Sequence, residues 1–351
     1  MKLSSLSGIA MCVLLANACG VDRGEAASAG PPRITPVRFT DAFTLVDSVE
    51  LQQTDSALIV RISGVDVDRS GSILLGDVSE GNVKLFGPDG RLLRVIGRKG
   101  DGPREFKAPR YPRFGPDGLI YVADGQDGRV QVFDRAGALR RFIRLEDVGM
   151  VMGLAVREDG SFLVVTDGTE RSDHVLIHFD SAGTRLKEFL SIKKVRPTGA
   201  ADDALWANVR NFFMDARGDT VFVTSTVSDT IWSVHLPTGR ESRTHLAFPG
   251  YVRPTPPSAP PPDIAALVKW GNSFHLGSTL NVDASRIYLP YVQGVLNYGD
   301  PMLLVLRDGR GGWTVASGAP PIISAANGRA YGLLTPGEER VILGAFTPRT
   351  P

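Results

Sequence analysis

Five side chains combine a reactive type with a suggestive spacing: Asp77, Asp124, Asp167, His174 and His178. His174 and His178 form an H-x-x-x-H pair, which on a helix places two imidazoles side by side for a zinc ion. Here Val175, Ile177 and Phe179 alternate as in a strand. Four strand residues hold the two rings about 13 Å apart, too far for one ion with bonds of about 2 Å. The three aspartates recur once per repeat, which suits a carboxylate that accepts backbone N–H bonds at a hairpin better than one that reacts. H-E-x-x-H, G-x-S-x-G and P-loop segments are missing, and His235, His245 and His275 are scattered. No catalytic, cofactor-binding or metal-ligating residue is assigned from these patterns.

Charge is more informative locally than globally. With 39 Lys plus Arg against 38 Asp plus Glu, the net charge of +1 argues against a uniformly basic nucleic-acid binder. Residues 84–144 nevertheless hold 14 cationic and 7 acidic side chains. Within them Arg98, Lys99, Arg104, Arg110 and Arg113 are the candidates for an anionic ligand such as a phosphate, a sugar acid or an anionic lipid, because clustered cations, guanidinium groups above all, hold oxyanions. A solvated charged strip would have the same composition.

The beginning of the chain reads as an address. Lys2 precedes an apolar or small run from Leu6 to Ala16, which has the length of a signal-peptide core and is too short to span a bilayer. Leu14-Leu-Ala-Asn-Ala-Cys19-Gly20 resembles a bacterial lipobox, although Ala16 stands where Leu is preferred. The resemblance implies a signal peptide over 1–18 and acylation of Cys19, with a tether over 19–36; ordinary cleavage after Ala18 or Ala29 would instead release a secreted protein. Cys12 would leave with the leader, so the mature chain would have no free thiol. That removes cysteine nucleophiles and disulfides from consideration.

The remaining residues must be positioned by strands. Ile73–Asp77 followed by Val83–Phe86 matches Ile120–Asp124 followed by Val130–Phe133, with Phe86 and Phe133 offset by 47 residues. Further copies run through Phe162–Asp167 and Val175–Phe179, through Val221–Ser225 and Ile231–Val234, and more weakly through Ile287–Leu289 and Met302–Leu306. Glycines 90, 137, 183, 239 and 309 close the hairpins. Short runs rich in β-branched and aromatic residues between Gly, Asp and Pro turns, repeated at this length, predict an all-β fold of four-stranded antiparallel β-propeller blades. Five copies leave a C-terminal remainder one strand short of a blade, and Ala42–Leu51 can supply that strand. The expectation is a single six-bladed β-propeller over 37–351, monomeric, in which an N-terminal strand completes the C-terminal blade.

Gly97-Arg-Lys-Gly-Asp-Gly-Pro-Arg-Glu-Phe106-Lys-Ala-Pro109, with Asp117–Asp124 and Arg129–Phe133, resembles an NHL repeat over one full unit, and repeats 1, 3 and 4 match in part. Asp127 stands where the family usually has Asn. The resemblance implies a six-bladed propeller. It implies no single activity, since relatives include protein- and RNA-binding scaffolds, sensor domains and a few lyases.

Two insertions interrupt the spacing, near 196–208 and 249–272. The second is proline-rich from Pro249 to Pro262 and leads into a short helix, Asp263 to Trp270, with Asp263 as N-cap. Trp206, Tyr251 and Trp270 would either wall a pocket at the channel mouth or cap blade edges. Two functions fit. The first is an exported scaffold that binds a protein, peptide or glycan through its loop face, touching the membrane only through its lipid anchor and with no role in nucleic-acid binding. The second is an exported lyase or hydrolase with a metal in the central channel.

Overall fold

Each repeat carries two to three apolar strands separated by turns that only a few residue types can make. Gly90, Gly137, Gly183 and Gly239 adopt φ of 78°, 82°, 92° and 69°, the left-handed region that disfavours side chains bearing a Cβ. In the fifth repeat the expected Gly309 yields this role to Gly311, with φ 88°, whose N–H reaches the Asp308 carbonyl. The computed structural model describes residues 32–169, 172–195, 211–253, 255, 261–284, 286–294, 302–335 and 339–349.

The chain enters through β1 (Ile34–Arg38), α1 (Phe39–Ala42) and β2 (Phe43–Glu50). Blade 1 follows as β3 (Ile62–Val67), β4 (Ile73–Asp77), β5 (Asn82–Phe86) and β6 (Leu92–Ile96). A two-stranded ribbon, β7 (Arg98–Lys99) and β8 (Glu105–Phe106), leads to blade 2: β9 (Pro109–Phe114), β10 (Ile120–Asp124), β11 (Arg129–Phe133) and β12 (Leu139–Arg144). Blade 3 is β13 (Val151–Val156), β14 (Phe162–Thr166), β15 (His174–Phe179) and β16 (Arg185–Ser191), continued by α2 (Ile192–Val195). Blade 4 is β17 (Phe212–Arg217), β18 (Thr220–Ser225), β19 (Thr230–His235) and β20 (Arg240–His245).

After α3 (Ile264–Gly271), blade 5 has a split inner strand, β21 (His275–Gly277) and β22 (Asn281–Asp283), then β23 (Arg286–Gln293), β24 (Met302–Arg307) and β25 (Trp313–Ala319). Blade 6 is β26 (Ile322–Ala326), β27 (Arg329–Leu333) and β28 (Ile342–Pro348), with β2 as its outer strand. The pairing of β2 with β28, Phe43 opposite Pro348 through Glu50 opposite Ile342, closes the ring as the sequence led us to expect. Inner strands β3, β9, β13, β17, β22 and β26 neighbour one another in that order and return from β26 to β3.

One strand was not expected. β1 lies parallel to β25 as a fifth strand of blade 5, from Ile34 beside Trp313 to Arg38 beside Ser317. Residues 34–36 of the expected tether therefore belong to the folded body, held by Ile34 in the core between blades 4 and 5. The rest of the tether to residue 31 and the leader lie outside the described residues. Among the described residues, buried apolar side chains form six clusters, each shared by two adjacent blades. A blade covers its apolar faces only against its neighbours, so closure of the ring is what removes the last open face.

Candidate functional site: the connector face and the channel

In each blade the chain starts at the channel and steps outward. The links from an outer strand to the next inner strand, residues 97–108 among them, therefore share one face with the hairpins between second and third strands. The other hairpins lie on the opposite face.

The 97–106 link is built around Phe106. This ring is fully buried against Phe133, 5.9 Å away, and leaves no room for a side chain at Gly97. Two buried residues of β11 pin the rest. Arg129 donates to the carbonyls of Asp101, Gly100 (3.5 Å) and Glu105 (2.9 Å), and Gln131 donates to the Glu105 carbonyl at 2.7 Å while accepting from the Arg104 N–H at 2.7 Å. Glu105 accepts from the Gly102 N–H and from Arg98, both at 2.9 Å, and these donors hold its carboxyl below the usual range. The link is thus fixed from beneath, while Lys99 and Arg104 are exposed and make no ion pair with a described residue.

The structure separates the five candidate cations. Arg98 is engaged by Glu105 at 2.8 Å. Arg110, on β9, packs its stem over Gly125 with a buried, unpaired Nε. Arg113 lies further along β9, where its Nε donates to the Leu154 carbonyl of β13 at 3.1 Å. Lys99 and Arg104 are left on the connector face. Neighbouring Lys107 is satisfied by Asp101 at 2.6 Å and Asp127 at 2.9 Å.

Arg113 belongs to a circle of side chains at the opposite end of the channel, one at each blade interface. Asp66 accepts from the Phe114 N–H (2.8 Å), Arg113 reaches Leu154, and Arg157 donates to the Gly218 carbonyl (3.0 Å) and to Asp219 (2.8 Å). Asp215 accepts from the Val282 N–H (2.7 Å), Asp283 from the Gly328 N–H (2.6 Å), and Asn327 donates to the Asp68 carbonyl (2.8 Å). Burial pushes the Asp215 carboxyl up to about 6, opposed by Arg113 and reinforced by Asp66, whose own carboxyl is raised by burial. The charges of blades 1, 2 and 4 thus sense one another across the channel. Their oxygens are spent on backbone donors, so this circle holds blades together.

Of the recurrent aspartates, Asp77 has the hairpin role expected, through Ser79 and Glu80, and also holds the incoming connector; the described backbone donors to Asp124 and Asp167 all come from that connector. Asp77 accepts from the N–H groups of Val60 (2.8 Å), Arg61 (3.2 Å), Ser79 (3.1 Å) and Glu80 (3.2 Å), and from buried Lys84 at 3.3 Å. Asp124 accepts from Lys107 and Ala108 N–H groups and from Arg129, and Asp167 from the Met150 N–H. His174 and His178 lie in strand β15 as expected. His174 contacts Asp173 (3.2 Å) and Glu188 (3.1 Å), whereas His178 contacts Ser161 (3.0 Å). No group of three His, Cys, Asp or Glu among the described residues is placed to hold a metal ion.

Of the expected aromatic wall, Trp206 falls outside the described residues. Tyr251 packs against Phe248 (4.8 Å), Tyr291 (5.4 Å) and His275 (6.1 Å), and Trp270 against Phe274 (4.9 Å) with its indole N–H on the Thr255 carbonyl (2.9 Å). The two rings serve different blade interfaces, Tyr251 that of blades 4 and 5 and Trp270 that of blades 5 and 6. The Asp263 side chain caps α3 through the Ala266 N–H at 2.7 Å, as read from the sequence.

The model of a family described as a domain of unknown function, DUF4934, matches residues 31–259, from β1 through the end of blade 4. The chain belongs to DUF4934. No curated protein matches this DUF4934 chain. In fold it is similar to a protein of Bacteroides fragilis described as exported, at 16% identity and a TM-score of 0.62 over 91% of this chain and 99% of that one. It is equally similar to a member of the DUF4221 family from Bacteroides vulgatus, at 10% identity and a TM-score of 0.62 over 88% and 99%. Virginiamycin B lyase of Staphylococcus aureus shares the architecture at 11% identity and a TM-score of 0.50 over 87% and 99%. At such identities the likeness is one of fold.

Proposed function

We propose that this DUF4934 protein is an exported scaffold, anchored through Cys19, that holds an acidic protein, peptide or glycan on its connector face. One observation carries the reading: Arg129 and Gln131 fix the 97–106 link from below, so Lys99 and Arg104 are presented on a pre-ordered surface without an acidic partner among the described residues. Pre-ordering lowers the entropy cost of binding, and two cations held in place attract oxyanions more than mobile ones do. The leader pattern and the likeness to a protein described as exported support the address.

Two experiments test the two parts. Binding of polygalacturonate and of poly-glutamate to the purified chain is compared with that of a Lys99→Glu, Arg104→Glu variant. Loss of poly-glutamate binding in the variant supports the site, and unchanged poly-glutamate binding removes it. Mass spectrometry of the mature N-terminus in the bacterial host, with Cys19→Ser as control, reads the anchor; an unmodified Cys19 or cleavage elsewhere contradicts it.

A further inference from the structure

The strand that closes the ring also forms one wall of a cleft. Between blade 6 and the β3–β4 turn of blade 1 lies a cavity of about 400 Å³. That is enough for a small ligand of one to two rings, since sites for such molecules begin at roughly 300 Å³. Its apolar base includes Ile73, Leu343 and Ala345, all buried. Two cations stand in its lining, Arg69 and Arg329, and neither makes an ion pair with a described carboxylate. Arg329 hydrogen-bonds the Tyr331 hydroxyl, and Tyr331, 8% exposed, is itself among the lining residues.

The polar remainder is mostly committed elsewhere. Ser70 Oγ donates to Asp68 at 2.6 Å, and Asn327 donates to the Asp68 carbonyl at 2.8 Å. Asp68 itself is neutralised by Arg135 from blade 2, so it does not offset Arg69. The acid left in the lining is Asp47 of β2, whose Oδ1 accepts the Ser48 N–H at 2.8 Å. Two cations against one acid leave the cleft positive, with an apolar base and a tyrosine ring beside them.

We propose that this seam cleft binds an acidic sugar, its carboxylate or phosphate held between Arg69 and Arg329 and its ring laid along Tyr331. Guanidinium pairs hold such oxyanions through parallel N–H bonds. Asp47 would accept from sugar hydroxyls, which sets an acidic sugar apart from a bare oxyanion. The site is separate from the connector face, being built from strands β2, β27 and β28 and from turns of the opposite face. Because its ligand touches β2 and blade 1 together, occupancy also fastens the ring at its closing seam.

The test uses the full chain with glucuronate, glucose 6-phosphate, glucose and sodium sulfate as probes, read by calorimetry and by the shift in Tm. Saturable binding of glucuronate or glucose 6-phosphate is expected, the better of the two identifying a carboxylate or a phosphate site, with glucose and sulfate at least about tenfold weaker. Arg69→Gln and Arg329→Gln should each weaken the acidic sugar by about tenfold or more. Arg69 is exposed and has no described partner, so its variant tests the site without disturbing the fold. Lys99→Glu with Arg104→Glu should leave this binding intact, which keeps the test independent of the connector face. Equal binding of glucose, sulfate-like binding only, no binding of either acid, or full affinity in Arg69→Gln would each overturn the proposal.

Discussion

Gln131, buried in the third strand of blade 2, accepts the backbone N–H of Arg104 at 2.7 Å and leaves the Arg104 side chain exposed. Arg104 sits at φ 65°, a left-handed conformation uncommon outside glycine, and the Gln131 amide helps to hold it there. The other end of the same amide holds the Glu105 carbonyl at 2.7 Å.

Replacing Gln131 by Leu therefore removes two hydrogen bonds and strands the Arg104 N–H, while the Glu105 carbonyl keeps only Arg129. We expect a loss of about 1 to 3 kcal/mol in denaturant unfolding. Faster amide hydrogen exchange confined to residues 98–106 should accompany it. Unchanged protection of the Arg104 amide would show that the link is held by something other than Gln131.

Asp77 and Lys84 are both fully buried, but their removal should not cost the same. Asp77→Ala frees four backbone N–H groups and leaves Lys84 without its carboxylate, a change on the order of 3 to 5 kcal/mol. Lys84→Met keeps Asp77 on those four donors and fills similar space, so it should cost less than half as much. Paired urea titrations decide this, and equal losses would mean that the ion pair rather than the backbone cradle is what Asp77 provides.

The channel circle gives stability a pH dependence of definite sign. Asp215 holds its proton up to about 6 in the folded chain, against 3.8 for an unperturbed carboxyl. Its contribution is fully present below pH 3.8 and is lost as pH rises through about 6. Partial exposure of Asp215 and the coupling to Asp66 and Arg113 reduce the effect to about 1 to 2 kcal/mol. In Asp215→Asn, the difference in unfolding free energy between pH 4.5 and pH 8 should shift by that amount in the direction of relatively greater stability at pH 8. An unshifted difference would place the titrating group elsewhere.

The two N-terminal strands should differ in importance. β1 is an added edge on a complete blade, so a chain starting at Arg38 should fold with reduced stability. β2 completes blade 6 and brings Phe43, stacked on Phe39 at 4.6 Å, into the core between blades 5 and 6. A chain starting at Gln52 should fail to give a cooperative unfolding transition by circular dichroism. A cooperative transition in the shorter chain would mean that five blades and a partial sixth suffice.

What the sequence shows of this fold follows from what repeats. Six blades and the role of residues 43–50 are legible because every blade needs four strands and the last has three. β1 is not, because Ile34-Thr-Pro-Val-Arg38 matches no repeat and contains a proline, which a parallel edge strand tolerates. The hairpin role of Asp77 is legible from recurrence, whereas the connector contacts of Asp124 are not. The neighbourhood of Asp66, Arg113 and Asp215 is not, since only closure of the ring brings blades 1, 2 and 4 around one channel. Arg113 shows the cost of reading charge along the chain: it follows Arg104 closely in sequence, yet alternation and strand direction carry it to the other end of the channel. The seam cleft is hidden for the same reason, joining residues 47 and 345 across nearly the whole chain.

The most direct test is calorimetric titration of poly-glutamate into the chain at low salt, for the native protein, for Lys99→Glu with Arg104→Glu, and for Arg69→Gln. Binding that weakens at least about tenfold in the double variant, fades with added salt and is unaltered in Arg69→Gln is the predicted result. Equal affinity in the native protein and the double variant would contradict the connector face as the binding surface.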